Sequence, residues 1–345
     1  MSDPTDPGSF IDWETAVRIG SRLVGEGPST TRAEAERAVG DLRAAATRST
    51  GLVRDFTGLD APDGSAPVLV VDRPGWVRAN ADSFATVLGP VVDAVMSKRS
   101  SGAATRAIGS RVTGAEVGVL LGFMGSRVLG QFDPFHDPHG RLLLVAPNVV
   151  HVEREIQADP ADFRLWVCLH EETHRVQFTA VPWMRDHLMA QVEQLAATMV
   201  PDEQALEEGL RAAINAIRGG SLMDAVTNAE QREIIDRITG MMSLLEGHAD
   251  VVMDGVGPGV IPSVAAIRRK FTQRRKGVGP LDKILRRLLG MDAKMAQYRD
   301  GAAFVRHVVD RVGMVDFNAI WAEPEHLPSK AEIHDPDAWV ARVHG

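Results

Sequence analysis

The chain has 345 residues and carries 38 Lys and Arg against 46 Asp and Glu, so its formal net charge is −8 at pH 7. With 44% hydrophobic and 24% charged residues it has a globular composition, which excludes disordered, collagen-like and low-complexity classes, and its length allows two domains or one large domain. The acidic balance disfavours nucleic acid and anionic membranes as partners, and the single cysteine, Cys168, excludes internal disulfides and favours a cytoplasmic location.

The N-terminal part is predicted to begin with two helices. Its first residues are acidic and polar, whereas a secretory signal needs a basic start and an apolar stretch. A helix is expected over Asp12–Val24, capped by the aspartate, with Ala16, Ile19 and Leu23 on one stripe. A second helix is expected after Thr31, ending at about Phe56.

The next segments alternate extended and helical patterns. Residues 68–71 predict a short strand, and 80–96 and 105–130 predict helices. The apolar stretch Val117–Gly125 is too short to span a bilayer. The segment 133–140 (DPFHDPHG) predicts a loop. Its His136 and His139 are compatible with a second metal site, but Asp-Pro turns favour a solvated loop.

A strand followed by a long helix is predicted after residue 140. Leu142–Val145 lies in a run of apolar and β-branched residues (RLLLVAPNVV) and predicts a strand, and a short helix is expected near 152–157. Asp159-Pro160 is a helix-start signal, and nothing interrupts the following helix before Pro182. Cys168 lies in this helix and is expected to be a small core residue.

The long helix contains the sequence His170-Glu171-Glu172-Thr173-His174, an HExxH motif. The spacing of i and i+4 places both imidazoles on one face, where their nitrogens can bind one ion. Glu171 lies beside the ion and can take a proton from water that the ion activates. Two solvated surface histidines are the alternative, but the apolar flanks LWVCL and RVQF predict a buried helix, in which unpaired polar groups are costly.

A third ligand is expected from a second helix, because the chain lacks the third histidine of an HExxHxxGxxH extension. The best candidate is Glu246, in the sequence SLLEGHADVV, with an ordinary surface acid as the alternative. Asp250 shares its face and is predicted to accept the free N–H of a ligand imidazole. The small residues Gly247 and Ala249 are expected to let this helix approach the HExxH helix. A helical insertion is expected between the two.

The order of strand, HExxH helix and glutamate helix resembles the zincin metallopeptidases of the gluzincin type. The stretches VLGQFDPF, LLLVAPN, DFRLWVCLHEETHRVQFTAVPWMRDHL, SLLEGHADVVMD, LLGMDAKMAQYRDGAAFV and the WAEPEHLPSKAEIHDPDAWVARV tail resemble an actinobacterial family of zincin-like hydrolases of unassigned substrate. One branch of that family is associated with biosynthesis of the deazaflavin coenzyme. The resemblance implies one Zn²⁺ per chain, with His170, His174 and Glu246 as ligands and Glu171 as general base.

We therefore expect a helix-dominated α+β fold with a zincin-like core. A small sheet should lie beside the HExxH helix within residues 141–345, and the mainly helical region 1–140 should pack on it; one continuous domain is the alternative. Trp166 and Trp183 are expected to pack in the interior.

The predicted activity is zinc-dependent hydrolysis of a peptide or amide bond. The edge of the strand Leu142–Val145 could receive an extended substrate. His248 and Tyr298 are candidate stabilisers of the oxyanion, with a core histidine and a helix-packing tyrosine as the alternatives. The other hypotheses are a catalytically silent metal-binding scaffold and, by the family association, a hydrolase of a non-peptide amide in cofactor metabolism.

A local basic cluster also stands out on this acidic chain. Its members are Arg268, Arg269, Lys270, Arg274, Arg275, Lys276, Arg286 and Arg287. It could dock an anionic partner, but a solvated helix face is the favoured interpretation.

Overall fold

Helices dominate the structure and surround one small sheet. The computed structural model describes residues 10–62, 66–96, 103–136, 138–198, 229–276 and 291–345. The helices of these residues are α1 (Trp13–Leu23), α2 (Arg32–Thr57), α3 (Arg73–Met96), α4 (Ala103–Gly125), α5 (Ala146–Glu155), α6 (Pro160–Ala180), α7 (Met184–Thr198), α8 (Ala229–Gly255), α9 (Val264–Lys276), α10 (Met291–Phe317), α11 (Lys330–His334) and α12 (Pro336–His344). The strands are β1 (Val68–Val71), β2 (Gly130–Asp133) and β3 (Arg141–Val145). The predicted helix-dominated α+β class is confirmed.

The first two helices start where the sequence predicts. The Asp12 carboxylate accepts a hydrogen bond from the backbone N–H of Thr15 and caps α1. Thr31 and Glu34 form a reciprocal capping box at the start of α2.

The buried face of α1 differs from the predicted stripe. Ala16 is buried as expected, but Leu23 is 56% exposed. The helix instead packs on α4 through glycine, since a Cβ at Gly20 would lie 3.1 Å from the carbonyl oxygen of Gly118. Close approach of the two backbones therefore replaces leucine packing at this contact.

Three helix ends differ from the prediction because of local capping and tertiary pairing. Helix α3 begins at Arg73, since the Asp72 carboxylate accepts a hydrogen bond from the N–H of Gly75 at 2.7 Å. Helix α5 begins at Ala146, and Pro147 occupies its first turn, where no N–H is needed. Helix α4 ends at Gly125, and the chain then enters β2.

The sheet has the order β1-β3-β2. Strand β1 is parallel to β3, with Val68 opposite Leu142, and β2 is antiparallel to it, with Gly130 opposite Leu144. The predicted strands β1 and β3 are confirmed. The expectation that β3 presents a free edge is wrong, because β3 is the central strand and is paired on both sides.

Alternate residues of β3 contribute to two different parts of the core. Leu142 and Leu144 join a cluster with residues of α2, α6 and α9, whereas Leu143 and Val145 join a cluster with residues of α1, α3 and α4. A third cluster packs α8 against the C-terminal helices. The strands on either side of residue 140 thus share one sheet and pack together in the first two of these clusters.

No helix of the described ranges is long and apolar enough to cross a membrane. This agrees with the expectation for Val117–Gly125, which forms the last part of α4.

Candidate metal centre

Helix α6 holds the two histidines of the motif on one face. It begins at Pro160, and the Asp159 carboxylate accepts a hydrogen bond from the N–H of Asp162. The helix is buried over most of its length, as predicted, and Cys168 is fully buried in the core. The Nε2 atoms of His170 and His174 lie 3.3 Å apart, with the rings nearly perpendicular at 87°.

Glu246 on α8 completes the group. Its Oε2 lies 3.5 Å from Nε2 of His170 and 3.5 Å from Nε2 of His174. The side chain is buried, and the two imidazoles are partly buried. The structure therefore brings together the three residues predicted as ligands.

The three atoms fit the requirements of a zinc ion. Two imidazole nitrogens and one carboxylate oxygen are a donor set that zinc accepts. In a tetrahedral site with ligand distances of about 2.0–2.1 Å, the ligand atoms are about 3.3–3.4 Å apart, close to the distances found here. Among the described residues this group has three members and no fourth His, Cys, Asp or Glu. Such a set leaves one coordination position open.

Electrostatics couple the members of this group. Burial favours the protonated carboxyl of Glu246, but hydrogen bonds from His170 and His174 outweigh it and hold the Glu246 pKa well below its ordinary value. Burial disfavours the imidazolium of His174, but the hydrogen bond and charge of Glu246, together with Glu171, raise the pKa of His174. Without a metal ion, these interactions favour a carboxylate on Glu246 paired with an imidazolium on His174.

Glu171 lies between the histidine face and strand β2. Its side chain is 7% exposed and touches the backbone of Gly130: a Cβ there would lie 2.6 Å from Cγ of Glu171 and 3.0 Å from its Oε1. The neighbouring Glu172 is fully buried, and it accepts a hydrogen bond from Nε of Arg175 at 2.8 Å. Both glutamates of the motif are thus fixed by the surrounding structure.

The role predicted for Asp250 is not found. Its Oδ1 accepts from Arg268 at 2.7 Å and its Oδ2 from Arg306 at 3.1 Å, because this face of α8 turns toward α9 and α10. The Nδ1 atoms of His170 and His174 have other neighbours.

Sequence reasoning missed the residues that support the two imidazoles. Oε1 of Gln177 lies 2.9 Å from Nδ1 of His174, and Sδ of Met253 lies 3.3 Å from Nδ1 of His170. Gln177 follows His174 by three residues on the same helical face, so the i+3 rule could have identified it. Nothing in the sequence marks Met253.

His248 is not placed where it could stabilise an oxyanion. It is fully buried, and its ring packs against Phe317 and Trp321 with centroid distances of 5.6 and 5.3 Å. Burial, with the nearby charge of His174, lowers its pKa to about 3. The core-histidine alternative therefore applies.

Other predicted features have mixed outcomes. The side chain of Tyr298 lies outside the part that the structure describes, so its role stays a prediction. Gly247 allows a close approach, but to Gly301 on α10 and not to α6. Within the described residues, His136 and His139 belong to no group of three or more potential metal ligands.

The tryptophans and the basic cluster have structural contacts. Trp166 stacks on Phe163, and Nε1 of Trp183 donates to the carbonyl of Trp321. Three cations of the cluster are engaged: Arg268 with Asp250, Lys270 with the carbonyl of Gln157, and Arg274 with Glu155. The side chains of Arg275, Lys276, Arg286 and Arg287 lie outside the described residues. The contacts found favour the helix-face interpretation.

Comparison with known proteins agrees with this geometry. A profile of the zincin-like metallopeptidase family matches residues 11–340. The chain is similar to a protein from Chloroflexus aurantiacus whose crystal structure is described as that of "a putative hydrolase with a novel fold". The two share 32% sequence identity over 97% of this chain and 99% of the other, with a TM-score of 0.73. No curated protein matches the chain. The chain belongs to the family of zincin-like metallopeptidases.

Proposed function

We propose that the protein is a zinc-dependent hydrolase that cleaves a peptide or amide bond. The observation that carries this proposal is the convergence of Nε2 of His170, Nε2 of His174 and Oε2 of Glu246 within 3.5 Å, without a fourth protein ligand among the described residues. Structural zinc sites are closed by four protein ligands, whereas catalytic sites keep one position for water or substrate.

The residues of the centre have two different chemical roles. His170, His174 and Glu246 would hold a zinc ion, which would supply Lewis-acid activation of water and of the scissile carbonyl. Glu171, adjacent to His170 and directed toward β2, accepts the proton of the attacking water and returns it to the leaving nitrogen. The contact between Glu171 and Gly130 holds the carboxylate at this place.

Strand β2 offers an edge for an extended substrate. The N–H of Val145 donates to the carbonyl of Leu129, so residues 131 and 133 continue the hydrogen-bonded pairs with β3. Gly130 and Phe132 consequently direct their backbone N–H and C=O groups away from β3, toward the side of β2 on which no strand of the described residues pairs. A peptide chain that pairs there would pass beside Glu171.

A catalytically silent scaffold with the same metal centre is the alternative, and Glu171 distinguishes the two. A scaffold has no need of a base beside an open coordination position. In the hydrolase, Glu171→Gln removes the base and leaves the three ligands in place.

The test combines metal analysis with activity. Elemental analysis of purified wild type should give about one zinc per chain, and His174→Ala should lose it. Screening of a peptide library should reveal cleavage by wild type, and Glu171→Gln should retain zinc while its rate falls by at least about 100-fold. Wild type without zinc after reconstitution, or full activity of Glu171→Gln, would refute the proposal.

A further inference from the structure

A fully buried glutamine links the histidine helix to the glutamate helix. Oε1 of Gln177 lies 2.9 Å from Nδ1 of His174. Its Nε2 lies 3.0 Å from the carbonyl oxygen of Leu245 and 3.0 Å from Nδ1 of His248. One side chain on α6 therefore contacts a ligand imidazole and the backbone of the residue that precedes the ligand Glu246.

The orientation of this amide follows from its neighbours. The carbonyl of Leu245 can only accept hydrogen bonds, so the NH₂ group of Gln177 must face it. The reverse orientation would place two acceptor oxygens about 3.0 Å apart in a buried site, which is costly. The amide oxygen is consequently the atom that faces His174.

The orientation of the amide fixes the tautomer of His174. An oxygen acceptor at Nδ1 requires the proton on Nδ1, and in the neutral ring Nε2 then carries a lone pair. That Nε2 is the atom directed at His170 and Glu246. Nδ1 of His248 accepts the second N–H of the amide, so both hydrogens of the Gln177 NH₂ group have a partner.

We infer that Gln177 is the positioning residue of the metal centre. It selects the tautomer in which His174 presents a bare Nε2, and through Leu245 it sets where α8 places Glu246. This inference rests on the proposed function and assigns His248 a supporting contact in place of a catalytic one. Gln177 acts through His174 and does not touch substrate.

Three variants separate these roles. Gln177→Leu keeps the volume and removes both hydrogen-bonding groups, whereas Gln177→Glu keeps an acceptor for Nδ1 of His174 and loses the amide donor to the carbonyl of Leu245. Gln191→Leu is the matched control, because Gln191 is also a buried helical glutamine but accepts from Arg237, away from the metal ligands.

The measurement is the zinc dissociation constant, by competition with a chromogenic chelator, with the melting temperature of each metal-free protein alongside. Loss of a group that supports a ligand histidine typically weakens metal binding about 10–100-fold. We expect that loss for Gln177→Leu, a smaller loss for Gln177→Glu, which keeps one of the two contacts, and no change for Gln191→Leu. Should the leucine variant not fold, Gln177→Met carries the same expectation.

Two results would overturn the inference: wild-type zinc affinity in Gln177→Leu, or a loss in Gln177→Glu as large as that in Gln177→Leu. The second would show that the acceptor at Nδ1 of His174 is not what matters. Failure of wild type itself to bind zinc would instead refute the proposed function, so the two failures are distinguishable.

Discussion

The backbone of Gly130 in the edge strand β2 lies directly against the side chain of Glu171 on α6. A Cβ at this glycine would stand 2.6 Å from Cγ and 2.9 Å from Cδ of the glutamate, so one of the two groups would have to move. We predict that Gly130→Ala displaces the Glu171 carboxylate and lowers the rate of hydrolysis at least about tenfold, while the zinc content stays at that of wild type. Turnover and metal analysis of the same preparation check this.

A second substitution tests the cause. In the Glu171→Gln background, which already lacks the base, Gly130→Ala should cause little further loss of rate, because both substitutions act on the same carboxylate. Gly51→Ala is the control, since nothing lies within 4 Å of a Cβ at that exposed helical position. Normal turnover of Gly130→Ala would contradict the role given to this contact.

The contact of α8 with α10 is made by two glycines. A Cβ at Gly301 would overlap the carbonyl of Ser243, and a Cβ at Gly247 would overlap the backbone of Gly301. Gly301→Ala should therefore lower the free energy of unfolding by about 1–3 kcal/mol through overpacking. Urea denaturation of the metal-free protein measures it. Gly40→Ala, on an exposed face of α2 with no neighbour, should be neutral or stabilising by up to about 1 kcal/mol. Equal midpoints for the two variants would refute the prediction.

Asp250 belongs to an ion-pair network and does not support the ligand histidines. Asp250→Asn weakens its contacts with Arg268 and Arg306, which are partly exposed, so the expected loss of stability is about 1 kcal/mol or less. The zinc dissociation constant should stay within about twofold of wild type, since no ligand atom changes its partner. A loss of zinc affinity as large as that expected for Gln177→Leu would show that Asp250 acts on the centre after all.

The metal-free centre should contribute to stability in a defined pH window. The pKa of Glu246 is held below its ordinary 4.5, so its contribution is present above pH 4.5 and is lost as the pH falls through the folded pKa. The pKa of His174 is raised above its ordinary 6.5, so its contribution is present below pH 6.5 and is lost as the pH rises through the folded pKa. The two contributions coincide between about pH 4.5 and 6.5.

The difference in unfolding free energy between metal-free wild type and His174→Gln measures this effect. Taking this difference cancels the part of the His248 contribution that burial causes; the lowered His248 pKa of about 3 costs stability as the pH falls below 6.5. The stabilisation of wild type relative to the variant should shrink above pH 6.5. An increase there would show that the sign is wrong.

The parts of the structure that could be predicted depend on local signals. The capping residues Asp12, Thr31 and Asp159 each satisfy N–H groups of their own helix, so the sequence alone marks those helix starts. The spacing of His170 and His174 likewise fixes their common face, because helix periodicity needs no tertiary information.

The missed features depend on contacts between distant segments. Strand β2 has the sequence GQFD, with two polar residues that are satisfied from elsewhere: Gln131 donates to Asn80, and Asp133 accepts from Ser83 and Arg141. Its extended state comes from pairing with β3, so neither propensity nor alternation reveals it. The hydrogen bond predicted between Asp250 and a ligand imidazole is absent for a related reason. Asp250 and Glu246 lie on one helical face, but Asp250 contacts Arg268 and Arg306 instead.

Strand β3 pairs with two strands from the first 140 residues, so the metal centre depends on more of the chain than the helices α6 and α8. A chain that started at Arg141 would retain His170, His174 and Glu246, but it would lose β2 and with it both the surface that holds Glu171 and the edge beside it. The residues that would bind the ion therefore all follow Arg141, whereas the strand that positions Glu171 precedes it. Under the proposed function, a shortened version of this protein that is to hydrolyse substrate must keep the strands that precede residue 140.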